Sequence, residues 1–139
     1  MEQKMTLGQL RSFMDEHFPQ VAGEFTILEA APMRLVMKYH VDARHIRPGN
    51  TVSGPTMFTL ADVAVYLAIL TMIGPKALAV TTNCSIDFMR KPAAGRDLRA
   101  ETRLLKLGRV LAVGDVLIYS EGEQAPVARA SLTYSIPRN

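Results

Sequence analysis

Hydrophobic spacing changes period along the chain, and each change marks an element. Leu7, Leu10, Met14 and Phe18 recur at helical spacing, with Thr6 and Gln9 set three apart at the start. That pair forms a capping box, in which each side chain satisfies an otherwise unbonded amide. A short amphipathic helix is therefore predicted from Thr6 to Phe18, closed by Pro19. From Glu24 to Val41 the period falls to two: Leu35, Met37, Tyr39 and Val41 face one way, and Arg34, Val36, Lys38 and His40 the other. Pro32 splits this stretch into two strands, the first expected to be short, because proline cannot donate to a sheet ladder. A polar, Gly- and Pro-containing loop follows from His40 to Ser53.

The stretch from Pro55 to Ile73 carries one charge, Asp62. Its length and apolarity approach those of a membrane span. Pro55 in the first turn and Gly74-Pro75 at the end favour a soluble helix with sharp limits. The flanks lack the basic clusters that anchor a span. A helix apolar on all sides is also what a buried core helix requires. Beyond it the chain reads as four strands: Ala77 to Met89, Asp97 to Leu107, Val110 to Ser120 and Pro126 to Ile136. In the second, Leu98, Ala100, Thr102 and Leu104 face inward; in the fourth, Ala128, Ala130, Leu132, Tyr134 and Ile136 do so. Ala93-Ala94-Gly95, Gly108 and Glu121-Gly122-Glu123 supply the turns. One long apolar helix needs a surface large enough to cover it, and a twisted antiparallel sheet can wrap around it. Such a sheet leaves two edges for oligomerisation to protect. An α+β fold of this kind is expected, as one domain over 1–139 with an N-terminal helical segment at 1–23.

Composition narrows the function. The net charge of +3, without Trp and without a long Lys/Arg block, gives little footing for nucleic acid. A basic patch for a phosphorylated small molecule and plain solvated surface charge both fit. The lone cysteine, Cys84, and an N-terminus without an apolar leader point to a reducing, cytoplasmic setting.

Asp62 is the sharpest chemical signal. A carboxylate on an apolar helix costs desolvation energy unless it is paired or used, so it is either a general base or a buried structural group. Ser53-Gly54-Pro55 opens the same helix. Ser53 suits an N-cap, and Gly54 lets a ligand approach free amides where the helix dipole favours negative charge. That arrangement serves equally as a plain cap or as an oxyanion hole. His40, Asp42 and His45 lack a convincing zinc spacing, and no metal or cofactor is implied.

Three stretches carry a family resemblance: SGPTMFTLADVA (Ser53 to Ala64), TTNCSIDFMRKPAAGRDLRAETRLLKLGRVLAVGDV (Thr81 to Val116) and PVARASLTYSI (Pro126 to Ile136). A helix with a mid-helix acid, then an F-x-R-x-P turn, then Gly-Arg, resembles the hot-dog thioesterases, particularly the PaaI-like, phenylacetate-degradation branch. The resemblance implies that Asp62 activates or orients water, that the Gly54 amide polarises the thioester carbonyl, and that Thr81 helps position the water. It further implies that Arg90, Lys91 and Arg109 meet the phosphates of coenzyme A. Two positions depart from the pattern: Ser-Gly-Pro replaces the usual His-Gly-Gly, and Arg47 replaces the usual Asn or Gln. Arginine only donates hydrogen bonds, so Arg47 is expected to bind substrate, with Asn50 and Ser53 as further polar contacts. The expected protein is an acyl-CoA thioesterase working as a homodimer or dimer of dimers, on a small or medium acyl or aryl thioester. The alternative is a non-catalytic acyl-CoA binder.

Overall fold

A computed structural model describes residues 2–76 and 78–137. Helix α1 spans Leu7–His17, and its start is the predicted capping box: Thr6 accepts from the Gln9 amide while Gln9 returns the bond to the Thr6 amide. Strands β1 (Phe25–Ala31) and β2 (Arg34–Tyr39) form a hairpin. The first strand is not short. Pro32 sits in the turn itself, and Met33 takes a left-handed conformation there (φ 61°), so proline limits the strand without shortening it. The expected plain loop contains a small hairpin, β3 (Ile46–Arg47) and β4 (Thr51–Val52). Helix α2 (Gly54–Ile73) is followed by β5 (Val80–Phe88), β6 (Leu98–Leu107), β7 (Leu111–Ser120) and β8 (Ala128–Ser135). Ala77, where the β5 run was expected to begin, lies outside the described residues.

The six long strands form one antiparallel sheet in the order β1-β2-β6-β7-β8-β5. It curls around α2, whose Leu60, Ala64, Leu67, Ala68 and Ile69 are fully buried. This is the hot-dog architecture, and the long apolar helix is its core. Gly114 on β7 permits the close approach, since a β-carbon there would meet both Val65 methyls at 3.1 Å. Inward positions on β6 and β8 are those the alternation predicted, with Leu98, Ala100, Leu132 and Tyr134 all buried. β5 behaves differently. Its run was read as apolar, yet no residue from Val80 to Phe88 is fully buried, because the strand lies at the sheet edge and α2 covers only its inner face.

The imidazoles near the loop act as ties. His40 Nε2 lies 2.7 Å from Thr26 Oγ1 and its Nδ1 lies 3.1 Å from Asp97, which also accepts from the Val41 amide. His45 accepts from the Asp42 amide, and Arg44 beside Asp42 holds that carboxyl down to about 2.

Candidate active site

Asp62 sits mid-way along α2, half-exposed between the fully buried Ala61 and Ala64. Its Oδ1 accepts from Thr81 Oγ1 at 2.5 Å and from the Tyr134 hydroxyl at 2.6 Å. The Tyr134 hydroxyl is also 2.9 Å from the Asp62 backbone carbonyl. Thr81 and Tyr134 are directly opposed partners across β5 and β8, so neighbouring strands deliver two hydroxyls to one oxygen.

A bulge makes this possible. Cys84, Ile86 and Phe88 pair with the inward residues Leu132, Ala130 and Ala128 of β8. Strict alternation from them would turn Thr82 inward and Thr81 outward. The register shifts between Thr81 and Asn83, with Thr82 the extra residue, and Thr81 is re-aimed at the helix. Burial, and then the bond to Asp62, push the Tyr134 hydroxyl far above the usual phenol range, so it remains a protonated donor. Burial, with the Asp62 charge adding to it, also raises the nearby Cys84 thiol.

The helix start forms a second polar point. Ser53 caps α2, accepting from the Thr56 amide at 3.3 Å and sharing a 2.7 Å bond with the Thr56 hydroxyl. The Met57 amide bonds to the Ser53 carbonyl, and Pro55 has no N–H. Among the described residues, that leaves the Gly54 N–H as the first-turn amide without an acceptor. The Phe88 ring lies against this glycine: a β-carbon would meet Phe88 Cζ at 3.2 Å, so any larger residue would make the exposed ring shift slightly. Gly54 and Asp62 are eight helical residues apart, about 12 Å along the axis. They do not converge on one point within the chain.

The remaining expected residues separate by position. Arg47 is exposed on β3, and Asn50 shapes the β3–β4 turn with a positive φ of 59° that Asn tolerates. This hairpin is fastened to the β5–β6 connection, with Thr51 donating to the Pro92 carbonyl at 2.8 Å. Arg90 and Lys91 are exposed in that same connection, and Arg90 donates to the Pro126 carbonyl. Arg109 is not with them. It lies in the β6–β7 turn, beside the start of β5, in a recess of about 580 Å³ where Lys4, Lys76 and Arg109 surround Ile73, Ile136 and Pro137. The expected phosphate patch is thus split between the two ends of β5, about 30 Å apart for nine extended residues. Linear order could not reveal this, because a turn adjoins whichever strand end the sheet order sets beside it.

Two residues near the site were not expected to have roles there. Tyr134 reads in sequence as one more inward position of an alternating strand; a hydroxyl facing a buried helix that carries a single acid was the available signal. Phe88 reads as part of an apolar run, and nothing in the run pointed to Gly54.

Comparison with known proteins agrees with the fold. Residues 49–127 match the Thioesterase superfamily. Acyl-coenzyme A thioesterase 13 of Homo sapiens is 30% identical over 101 residues, covering 72% of this chain and 71% of that protein. A crystal structure of a protein from Silicibacter sp. TM1040 superposes with a TM-score of 0.92 at 56% identity, covering 99% of this chain and 96% of the other. A mutant of the phenylacetic acid degradation protein PaaI from Thermus thermophilus superposes with a TM-score of 0.73 at 29% identity, covering 86% of this chain and 99% of the other. By these matches the chain belongs to the Thioesterase superfamily, as a PaaI-like hot-dog protein and a thiolester hydrolase.

Proposed function

We propose that the substrate is an acyl-coenzyme A, hydrolysed to a free acid and coenzyme A at a site shared by two copies of the chain. Water adds to the thioester carbonyl carbon as Asp62 takes its proton, and the carbonyl electron pair moves onto oxygen beside the Gly54 N–H. The C–S bond then breaks, and the thiolate leaves with the proton that Asp62 returns. One observation carries the shared site: β5 is an open edge that touches Gly54 through Phe88 and Asp62 through Thr81. Two such edges paired antiparallel and centred on Ser85, with each Thr82 left out of the ladder as the extra residue, set Thr81 beside the partner's Phe88. That brings Asp62 toward the partner's Gly54, twice per dimer. The same pairing joins Arg90 and Lys91 to the partner's Arg109 and so reunites the phosphate patch.

The test is thiol release across an acyl-coenzyme A panel by Asp62→Asn, by Gly54→Pro and by their co-expressed mixed dimer. Each single variant is expected to fold, dimerise and lose at least about a hundredfold in turnover. The mixed dimer regains one site. A mixed dimer as inert as its parents contradicts the shared site, and wild-type turnover by Asp62→Asn contradicts the base.

A further inference from the structure

We infer that Tyr134 is a positioning residue that commits Asp62 to one working oxygen and tunes its basicity. The inference rests on Asp62 serving as the base. A carboxylate has two oxygens, and rotation about its terminal bond ordinarily lets either meet water. Here Oδ1 already accepts two hydroxyls, from Thr81 at 2.5 Å and Tyr134 at 2.6 Å, so Oδ2 is the oxygen left to take a proton. Both donors stand on adjacent strands and are fixed by cross-strand pairing, and Tyr134 is only 3% exposed. The second contact of its hydroxyl, with the Asp62 backbone carbonyl, ties the side chain to the helix that carries it.

The groups that face Asp62 are neutral. Tyr66 lies one turn on along α2, Thr81 and Cys84 come from β5, and Tyr134 from β8. Among the described residues Asp62 has no ion-pair partner. Donation to a carboxylate favours its charged form, so removing one of these hydroxyls would weaken that preference. Burial keeps the Tyr134 proton in place throughout the working range, so the bond is present whenever the carboxylate is charged. Thr81 thereby acts on the carboxylate, where the family resemblance implied an action on the water.

The experiment is the pH profile of kcat/KM for the best acyl-coenzyme A of the panel, in wild type, Tyr134→Phe and Asp62→Asn. Phenylalanine removes a donor to the charged form, so the acid limb is expected to move to higher pH by about one unit. A second variant, with 3-fluorotyrosine at position 134, keeps the shape while making the hydroxyl a stronger donor. Its limb is expected to move the other way, to lower pH. A purely structural role changes the height of both profiles and leaves the limbs in place. Unmoved limbs, or limbs moved in the same direction, overturn the inference; should Tyr134→Phe fail to fold, the fluorotyrosine limb decides alone. Asp62→Asn separates the two ideas: if it is inert while the limbs stay put, only the positioning role fails. If it turns over normally, the base assignment fails and takes this inference with it.

Discussion

The two edges of the sheet are finished in opposite ways. Both edge ladders contain a bulge, but β1 is also covered, because α1 packs alongside it. Arg11 from that helix donates to the Ile27 carbonyl at 2.8 Å, and Gln3 reaches the Ala30 carbonyl at 3.4 Å. β5, at the other margin, runs nine residues, and among the described residues its backbone ladder pairs only with β8. Its surroundings are apolar and open, with Leu78 76%, Val80 55% and Phe88 53% exposed. Natural sheets blunt, cover or charge the edges they do not pair. This chain covers one side only, and the uncovered side is the one carrying Thr81 and Phe88. In the proposed dimer the exposed apolar side chains around β5 serve assembly, whereas Cys84 and Ile86 on its inner face, like Ile27 of β1, pack against the chain's own core.

The comparison can be broken most sharply at β5. Lysines at Asn83 and Ser85, both exposed and mid-edge, would set position 85 opposite its own copy and position 83 diagonal to it, crowding like charges at the centre of a paired edge. The double variant is expected to run as a monomer in light scattering, keep its circular dichroism spectrum and lose at least about a hundredfold in thiol release. Unchanged mass with full activity would show that β5 is not the pairing edge. A middle-sized effect is expected at the covered edge. Leu10→Ala, at a fully buried position of α1, is expected to cost about 2–5 kcal/mol in denaturant unfolding while leaving the folded enzyme dimeric. Loss of the dimer at matched folded fraction would blur the distinction between the edges. The smallest effect belongs to the capping box. Thr6→Ala removes the bond to the Gln9 amide, at an expected cost of about 1 kcal/mol with kcat/KM unchanged. A fall in kcat/KM would tie α1 to catalysis and not just to edge cover.

What the sequence made legible is what local physics decides. Thr6 with Gln9 announced a helix start, and alternation on β6 and β8 announced which faces are buried, because each depends on residues a few positions apart. Asp62 stood out because a charge on an apolar helix is unusual in itself, whereas Gly54, after an ordinary cap, was singled out by the family resemblance. Pro32 misled about β1, since the residue that breaks a ladder also builds the turn between two ladders. The exposure of β5 was hidden because an apolar run does not say which chain buries it. Tyr134 was hidden because its partner is 72 residues away, and a strand's pattern gives the face of a side chain without naming what stands opposite. The separation of Arg90 from Arg109 likewise depends on sheet order, which no local pattern encodes.

The bulge in β5 has a consequence for how this site tolerates change. Thr82 is exposed and its hydroxyl reaches no further than the Thr133 carbonyl at 3.3 Å, so its identity matters little. Its presence is absorbed locally: Thr81 pairs with Tyr134 and Asn83 with Thr133, the next position along β8, so the ladder runs past Thr82 without using it. Losing that residue would set Thr81 directly before Asn83, where plain alternation already faces it toward Asp62. The length of β5 is therefore buffered at this point: the strand can shed its extra residue and keep the hydroxyl in place.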